Sequence, residues 1–299
     1  MINGIINVYK EKGFTSHDVV AKLRGILHQK KIGHTGTLDP DATGVLPVCL
    51  GNATKLCDLL TDKSKTYEAV LKLGIVTDTQ DMTGKIEEEK QVTATEEEIE
   101  HAILSFVGDY AQVPPMYSAL KVNGKKLYEL AREGKVIERK PRQVTIYKIE
   151  ISDIDLEESE VKFSVDCSKG TYIRTLCHDI GEKLGCGGCM KSLLRTKVSR
   201  FFLEDSLKLA EIEKLHQQGL LEDSILPPDA IFTDFAAIYT TETSDRLVYN
   251  GNAIGRENIR QMTDGKKEQV RVYDSKGHFV GIYQPLGQGN KYKPFKMFL

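Results

Sequence analysis

The chain has 299 residues, of which 40% are hydrophobic and 28% charged, and its formal net charge at pH 7 is −2. These values are ordinary for a soluble protein with a sizeable core. The near-neutral charge gives no bulk signal for a nucleic-acid binder. No run of eighteen apolar residues and no signal-peptide start occur, so the expected location is the cytoplasm, without membrane contact.

Hydrophobic periodicity and turn residues predict mixed strands and helices in no strict βαβ order. Ser16 is predicted to cap the first helix, and Thr95 with Glu98 forms a capping box before another. The expected strands are 2–8, 45–50, 66–76, 144–151, 161–167 and 195–202, and the expected helices are 16–27, 53–60, 95–107, 126–132 and 172–184. This pattern predicts the α+β class with a mixed, mainly antiparallel sheet.

The chain changes character at Pro227-Pro228. After about residue 240 come a short helix near 244–249 and short strands at 270–273, 279–283 and 293–298. They predict a small β-rich domain. We therefore expect a larger domain over residues 1–238 and a smaller one over 239–299.

Residues 33–48 form the most unusual segment, GHTGTLDPDATGVLPV. Pro40 pushes Asp39 out of the α region, and the glycines permit backbone angles closed to other residues. The segment is therefore expected to be an ordered loop that presents Asp39 before a buried strand. A surface turn is the alternative, and composition alone favours it because turn chemistry is common.

Two segments carry a local excess of positive charge. Residues 109–148 hold nine Lys/Arg against four Asp/Glu, and residues 266–299 hold seven against two. Both contain tyrosine or phenylalanine, on which bases can stack. They indicate RNA contact, although charged runs are more often simply solvated faces. Asn123-Gly124 predicts a hairpin turn within the first segment.

Two further segments are candidates for chemistry. Tyr67 lies near the start of a strand, and Tyr172 and Arg174 open a helix after a glycine turn. A helix start with a lysine and an arginine can bind phosphate or carboxylate. Taken singly, Tyr67 is better explained as a core tyrosine with a satisfied hydroxyl, and Arg174 as part of a surface ion pair.

Six cysteines in a chain of this length do not indicate a disulfide framework. Cys186 and Cys189 have CxxC spacing, but a second pair at matching spacing is missing. We expect reduced thiols and no metal.

Seven segments resemble, in order, the bacterial tRNA pseudouridine synthases of the TruB type, which modify uridine 55. They are residues 33–48, 51–55, 65–67, 74–81, 113–121, 167–174 and 193–198. The resemblance runs from about residue 2 to 230 and more loosely to the end. The resemblance favours an ordered loop over a surface turn at residues 33–48, and Asp39 becomes a candidate nucleophile.

The resemblance implies an isomerisation. Asp39 would attack C1′ of the target ribose or C6 of the uracil, and the base would detach, turn and rejoin through C5. Arg174 would keep Asp39 ionised, since an adjacent guanidinium favours a carboxylate. Tyr67 would stack on the base or accept a proton, and no cofactor is implied. Asp41 is given no catalytic role.

The resemblance also implies an RNA partner, the T-arm of tRNA. The uridine must be flipped out, and His34 would fill the vacated stack, with a loop-bracing histidine as the alternative. Tyr172 and Leu193 would line the uracil pocket, and Lys55 would bind RNA. The basic insert, about 113–142, would clamp the RNA, and a PUA-like barrel at 239–299 would touch the acceptor stem. A monomer is expected.

Two other functions compete with this interpretation. Asp39 and Asp41 could be the carboxylate pair of a glycoside hydrolase, but two carboxylates this close on one loop rarely face a substrate from opposite sides. The chain could also bind or fold RNA without catalysis, with Asp39 structural. A tRNA-folding role could accompany the enzymatic one.

Overall fold

The computed structural model describes residues 1–61, 63–122, 124–287 and 291–299. Among these residues no helix has the length and apolar character needed to cross a membrane. Asn123 of the predicted Asn123-Gly124 turn lies outside the described residues, although the short strands on either side of it pair.

The structure consists of strands and short helices joined by 3₁₀ turns. The strands are β1 (Gly4–Lys10), β2 (Ile32–His34), β3 (Thr43–Leu50), β4 (Lys65–Leu73), β5 (Ile75–Thr77), β6 (Ile86–Glu89), β7 (Gly108–Gln112), β8 (Lys121–Val122), β9 (Lys125–Lys126), β10 (Arg142–Asp155), β11 (Glu160–Cys167), β12 (Gly188–Val198), β13 (Phe201–Phe202), β14 (Phe235–Thr240), β15 (Ile259–Met262), β16 (Lys266–Tyr273), β17 (Phe279–Pro285) and β18 (Tyr292–Met297). The helices are α1 (Ser16–Ile26), α2 (Cys57–Thr61), α3 (Glu96–Leu104), α4 (Leu127–Arg132), α5 (Ile173–Lys183), α6 (Leu209–Gln217) and α7 (Asp245–Tyr249).

A nine-stranded sheet organises the larger part of the chain. Its main path runs β1-β3-β12-β4-β11-β10-β7, with β2 paired to β3 and β13 to β12. All of these pairs are antiparallel except β3 with β12, which is parallel. The predicted α+β class with a mixed, mainly antiparallel sheet is confirmed.

Helices cover this sheet through separate apolar clusters. Alternating residues of β4 and β11, such as Leu71 and Phe163, pack under α3 and α5. Strands β1 and β3 are buried on both faces, and α1 and α6 pack on one of them. Helices α3 and α5 therefore cover one part of the sheet, and α1 and α6 cover another.

A second, five-stranded sheet runs in the order β15-β14-β16-β17-β18. Ile254, before β15, exchanges two backbone hydrogen bonds with Tyr292 of β18, so the sheet curls toward closure. Ile282 and Phe298 pack against Val45 of the larger sheet. The two sheets share an apolar cluster.

Several predicted boundaries move. The smaller sheet begins at Phe235, so the predicted division between residues 238 and 239 falls inside β14, whose short apolar run was not predicted as a strand. The strand predicted over 66–76 breaks at Gly74, which has φ +85°. The helix predicted over 53–60 is a 3₁₀ turn followed by α2.

The cap of the first helix also differs from the prediction. Thr15 is the N-cap, because its side chain accepts from Asp18 N and Asp18 returns a hydrogen bond to Thr15 N. Ser16 is buried one position later. Its hydroxyl instead accepts a hydrogen bond from Leu38 N, beside Asp39.

Candidate active site

Asp39 and Arg174 face each other across the end of the large sheet. Arg174 Nε lies 2.9 Å from Asp39 Oδ2, and Arg174 Nη2 donates to Oδ1 at 3.4 Å. The Arg174 side chain is 5% exposed, whereas that of Asp39 is 42% exposed. The fork-shaped guanidinium therefore fixes the carboxylate from the protein side and leaves it open to an incoming molecule.

Arg174 is itself held by three elements. It lies in the first turn of α5 and donates to the carbonyls of Thr79 at 3.0 Å and Tyr117 at 2.8 Å. Asp81 Oδ2 lies 3.8 Å from Arg174 Nε. A second carboxylate thus shares the guanidinium, and Arg174 has little freedom to turn away from Asp39.

The loop that carries Asp39 is tied to the N-terminal elements. Leu38 N donates to Ser16 Oγ at 2.9 Å, and Lys10 Nζ donates to the Pro40 carbonyl at 3.0 Å. Lys10 also donates to the carbonyls of Glu11 and Phe14. Its side chain is fully buried, and burial lowers its pKa to about 8, although Asp39 opposes that shift. The residues on both sides of Asp39 are therefore fixed by buried groups.

Tyr67, Leu193 and Arg195 share one face of the sheet beside this loop. Tyr67 on β4 is the direct partner of Arg195 on β12, and Leu193 is two residues along the same strand. All three are buried, and Leu38 joins Tyr67 and Leu193 in one apolar cluster. Burial raises the pKa of Tyr67, and the positive charge of Arg195 partly opposes this increase.

Tyr172 lies at the start of α5, two residues before Arg174. Its backbone N–H donates to Gln112 Oε1 at 2.8 Å, and Gln112 Nε2 donates to its carbonyl at 2.9 Å. This amide pair takes the place of a side-chain cap and fixes the helix start. Burial raises the pKa of the Tyr172 phenol, which is also near enough to Arg174 and Asp39 to feel their charges.

His34 ends β2, immediately before the loop. Gly36 N donates to His34 Nδ1 at 3.3 Å, and the His34 ring meets the His17 ring edge to face at 5.2 Å between centroids. Burial lowers the pKa of His34, and His17 and Arg195 add to the effect. His34 is partly exposed, so its ring is braced and still reachable.

Lys55 belongs to a different set of contacts. Its Nζ donates to the carbonyl of Met297 in β18 at 2.8 Å. Burial lowers the pKa of Lys55, and the charges of Lys31 and Lys296 lower it further. Its described contacts join the two sheets and do not include the Asp39–Arg174 pair.

The basic insert, residues 113–142, contacts the pair through one backbone group. Besides the Tyr117 carbonyl on Arg174, the phenol of Tyr117 donates to Asp78 at 3.4 Å. Lys126 of β9 and Arg132 of α4 both lie over the Tyr128 ring, at 5.3 and 5.5 Å from its centroid. The inner end of the insert therefore helps to build the site, and its outer part carries cations and an aromatic ring.

Three residues of the site were not predicted. Arg195 lies in a segment recognised for Leu193 alone, yet the strand period of two places both on the buried face. Lys10 ends β1, whose other residues are mostly apolar, and its burial gave no separate sequence signal. Asp81 lies in a turn rich in polar residues, and only the fold brings it near Arg174.

The cysteines lie apart from these groups. Cys186 and Cys189 are buried at the start of β12, and every cysteine of the described chain is a free thiol. In the described ranges, no group of three His, Cys, Asp or Glu side chains is placed to hold a metal ion.

Two family profiles match adjacent parts of the chain. The profile described as TruB family pseudouridylate synthase, N-terminal domain, matches residues 24–173. That of the tRNA pseudouridylate synthase B C-terminal domain matches residues 174–233. The second match ends just before β14.

Similar curated proteins extend over the whole chain. One from Lachnoclostridium phytofermentans, named tRNA pseudouridine synthase B, is 59% identical and covers 100% of both chains. A protein of the same name from Alkaliphilus oremlandii is 52% identical over 94% of this chain and 92% of its own.

Solved structures give the same fold. A chain in an H/ACA RNP bound to a substrate RNA containing 2′-deoxyuridine aligns with TM-score 0.72 and 25% identity, covering 99% of this chain and 85% of that one. A chain of a Cbf5-Nop10-Gar1 complex aligns with TM-score 0.72 and 27% identity over the same shares.

Proposed function

Because the chain belongs to the TruB family of pseudouridylate synthases, we propose that it converts uridine 55 in the T-arm of tRNA to pseudouridine, with Asp39 as the nucleophile. The observation that carries this proposal is the Asp39–Arg174 pair, in which a fixed guanidinium faces a partly exposed carboxylate. Such a carboxylate on a rigid loop suits nucleophilic attack better than a surface turn would.

The reaction is an isomerisation in which atoms balance without an external reactant. Asp39 attacks either C1′ of the ribose or C6 of the uracil, and the N1–C1′ bond breaks. The base turns, C5 forms a new bond to C1′, and the proton lost from C5 is balanced by one gained at N1. Asp39 leaves in the last step as a free carboxylate.

Tyr67, Leu193 and Tyr172 support the proposal as walls of a uracil pocket. Tyr67 and Leu193 share one sheet face beside the Asp39 loop, and Tyr172 opens the helix that carries Arg174. Tyr67 either stacks on the uracil or accepts the proton from it. Stacking at about 1–3 kcal/mol would offset part of the cost of flipping the base.

RNA contact is assigned to groups outside this pocket. His34, partly exposed and braced by Gly36 and His17, fills the gap that the flipped uridine leaves. The insert over 113–142 closes on the T-arm, Lys55 contributes positive charge, and the domain assigned to 239–299 reaches the acceptor stem. We expect a monomer that works in the cytoplasm without a cofactor.

The test is pseudouridine mapping on a T-arm transcript by carbodiimide modification. The unchanged protein should produce one pseudouridine at position 55. Asp39→Asn keeps the shape of the side chain and should reduce the single-turnover rate by at least about 10³-fold, while tRNA affinity stays nearly unchanged. Asp41→Asn is the matched control and should retain activity, since Asp41 contacts exposed Lys12 at 3.8 Å.

Each alternative function predicts a different result in this experiment. A non-catalytic RNA-folding protein would bind the transcript and leave its uridines unchanged. A glycoside hydrolase would lose its activity with either Asp39→Asn or Asp41→Asn. Pseudouridine formation that survives in Asp39→Asn would show that Asp39 is not the nucleophile.

A further inference from the structure

Arg195 is the largest fully buried side chain in the described part of the protein, at 1% exposure. Its Nε donates to the Val45 carbonyl at 2.7 Å, and its Nη1 donates to the Thr37 carbonyl at 3.4 Å. The third nitrogen, Nη2, is buried and has no hydrogen-bond partner among the described residues. One of the three guanidinium nitrogens of Arg195 therefore donates no hydrogen bond.

This arrangement is costly. Among the described residues, no Asp or Glu oxygen lies within 4.0 Å of the Arg195 guanidinium, so the charge rests on two neutral carbonyls. Burying an unpaired charge costs several kcal/mol, and an unsatisfied donor adds to the cost. Groups of this kind persist in native proteins mainly where they do something besides stabilising the fold.

Backbone geometry nevertheless keeps Arg195 in place. At Gly44, in β3, an added Cβ would lie 2.2 Å from the Arg195 carbonyl, and Gly44 has φ +105°. Only glycine fits there, and it allows the parallel contact between β3 and β12. The guanidinium thus contacts β3, the strand that follows the Asp39 loop, from the sheet position directly opposite Tyr67.

The neighbour of Arg195 on that face is Tyr67, its direct cross-strand partner. Side chains at such positions start about 4.5–5.5 Å apart and point the same way. Tyr67 is 7% exposed, and burial raises the pKa of its phenol, while the adjacent Arg195 side chain lowers it; Cys167 and Asp39 also act on the phenol and raise its pKa. A buried cation with a spare donor therefore stands beside a buried phenol.

We propose that Arg195 is a positioning residue that acts through Tyr67, with its free Nη2–H reserved for the Tyr67 oxygen when that oxygen carries negative charge. The idea rests on the proposed function, in which Tyr67 accepts a proton from the uridine. The phenol first releases its proton to solvent, and the phenolate then takes a proton from the substrate and becomes neutral again. Arg195 stabilises the charged form and stays protonated throughout.

The first experiment measures Tyr67 directly and needs no activity. 3-Fluorotyrosine is incorporated at position 67 alone, since ring fluorine acidifies the phenol, and its ¹⁹F resonance is followed against pH. Replacing Arg195 with an uncharged residue, Arg195→Gln, should move the titration midpoint upward. Arg200→Gln, the exposed arginine five positions along, should leave the midpoint unchanged.

Arg195→Met provides a second variant should Arg195→Gln not fold. An apolar side chain of similar length often replaces a buried charge without loss of stability. It should also raise the midpoint. A midpoint equal to that of the unchanged protein, in either folded variant, would overturn the proposal.

The second experiment separates positioning of Tyr67 from general support of the fold. In single-turnover assays, Arg195→Gln should reduce the rate by about 10²-fold, the usual contribution of a proton-transfer group. In a Tyr67→Phe background, the same change should add little further loss. Equal losses in both backgrounds would mean that Arg195 acts only through the structure.

The two readouts also separate this inference from the proposed function. If the unchanged protein forms no pseudouridine but the ¹⁹F midpoint still depends on Arg195, the function fails and the Arg195–Tyr67 coupling holds. If pseudouridine forms and the midpoint ignores Arg195, only the coupling fails.

Discussion

Buried charges serve different ends in the two sheets. The larger sheet and its covering helices bury the cations Lys10, Lys65, Arg174 and Arg195. Three of them contact the Asp39 loop: Lys10 and Arg195 donate to its carbonyls, and Arg174 pairs with the carboxylate of Asp39. Among the described residues of the smaller sheet, one carboxylate is buried, that of Asp274 at 2% exposure. The two sheets differ in which segment of the chain these buried charges fix.

Asp274 is fully satisfied by its own neighbours. It accepts from the Tyr249 hydroxyl at 2.7 Å and from the backbone N–H groups of Lys276 and His278, and it also faces His278 Nδ1 at 2.8 Å. Burial alone would raise its pKa, but these hydrogen bonds outweigh burial and lower the pKa to about 2. The Asp274 carboxylate, whose lone pairs all accept hydrogen bonds, stabilises its own turn. Lys10, Arg174 and Arg195 instead fix the Asp39 loop for a ligand.

The largest difference should appear when Arg174 is replaced. Arg174→Ala leaves Asp39 without its cation and should reduce the single-turnover rate by about 10³-fold. Arg174→Lys keeps the charge but loses the fork, so it should recover only part of that rate. Carbodiimide mapping over time measures both, with Arg200→Ala as an exposed control. Full activity in Arg174→Ala would remove the basis of the contrast.

The next largest effect is that of Lys10 on the free energy of unfolding at alkaline pH. Its pKa is about 8 in the folded protein against 10.5 in the unfolded chain, so between these values the unfolded chain binds more protons. Stability from this group should therefore rise with pH over that window, by at most about 3 kcal/mol. Urea unfolding of Lys10→Met should lack the rise, and Lys12→Met should keep it. An identical slope in Lys10→Met would contradict the assignment.

Asp274 should act at the opposite end of the pH scale. Its folded pKa lies below the unfolded value of 3.8, so its stabilisation is present above about pH 4 and is lost as the pH falls toward 2. Asp274→Asn should cost about 2 kcal/mol at neutral pH and flatten the acid limb. Its turnover per folded molecule should stay normal, as in the exposed control Asp264→Asn. A lower turnover in folded Asp274→Asn would contradict the view that Asp274 only stabilises its own turn.

The smallest expected effect is at His34. Loss of a stacking ring should cost about 1 kcal/mol, which is roughly a five-fold rise in KM for a T-arm substrate with little change in kcat. His34→Phe keeps a flat ring and should restore binding. If His34→Phe is as weak as His34→Ala, the imidazole braces the loop and does not stack.

The sequence predicted the elements that rest on a local pattern. The capping box of Thr95 and Glu98 starts α3 as expected, and the strand expected from residue 66 is β4. The first cap was misassigned to Ser16 because Thr15 and Ser16 are both good caps, and only the fold shows that Ser16 holds Leu38. β14 was missed because its pairing partners lie far along the chain.

The site was predicted only where a motif named its residues. Asp39 and Arg174 were expected to pair, and they do. Arg195 lay within a recognised motif, but a charge buried inside a strand is not what strand periodicity predicts. Lys55 was expected at the RNA, and its described contact with Met297 depends on how two sheets meet. Its role in RNA binding stays a prediction.

Residues that meet in the site are far apart in the sequence, so they are synthesised at different times. Arg174 lies 135 residues after Asp39, and Arg195 lies 150 residues after Val45. A chain leaving the ribosome carries its nucleophile early but lacks both guanidinium groups until α5 and β12 have emerged. The nascent protein therefore cannot assemble the paired carboxylate before Arg174 has been translated, and such distant pairings form slowly because closing the loop costs entropy first. An unfinished chain would carry the motif without its chemistry.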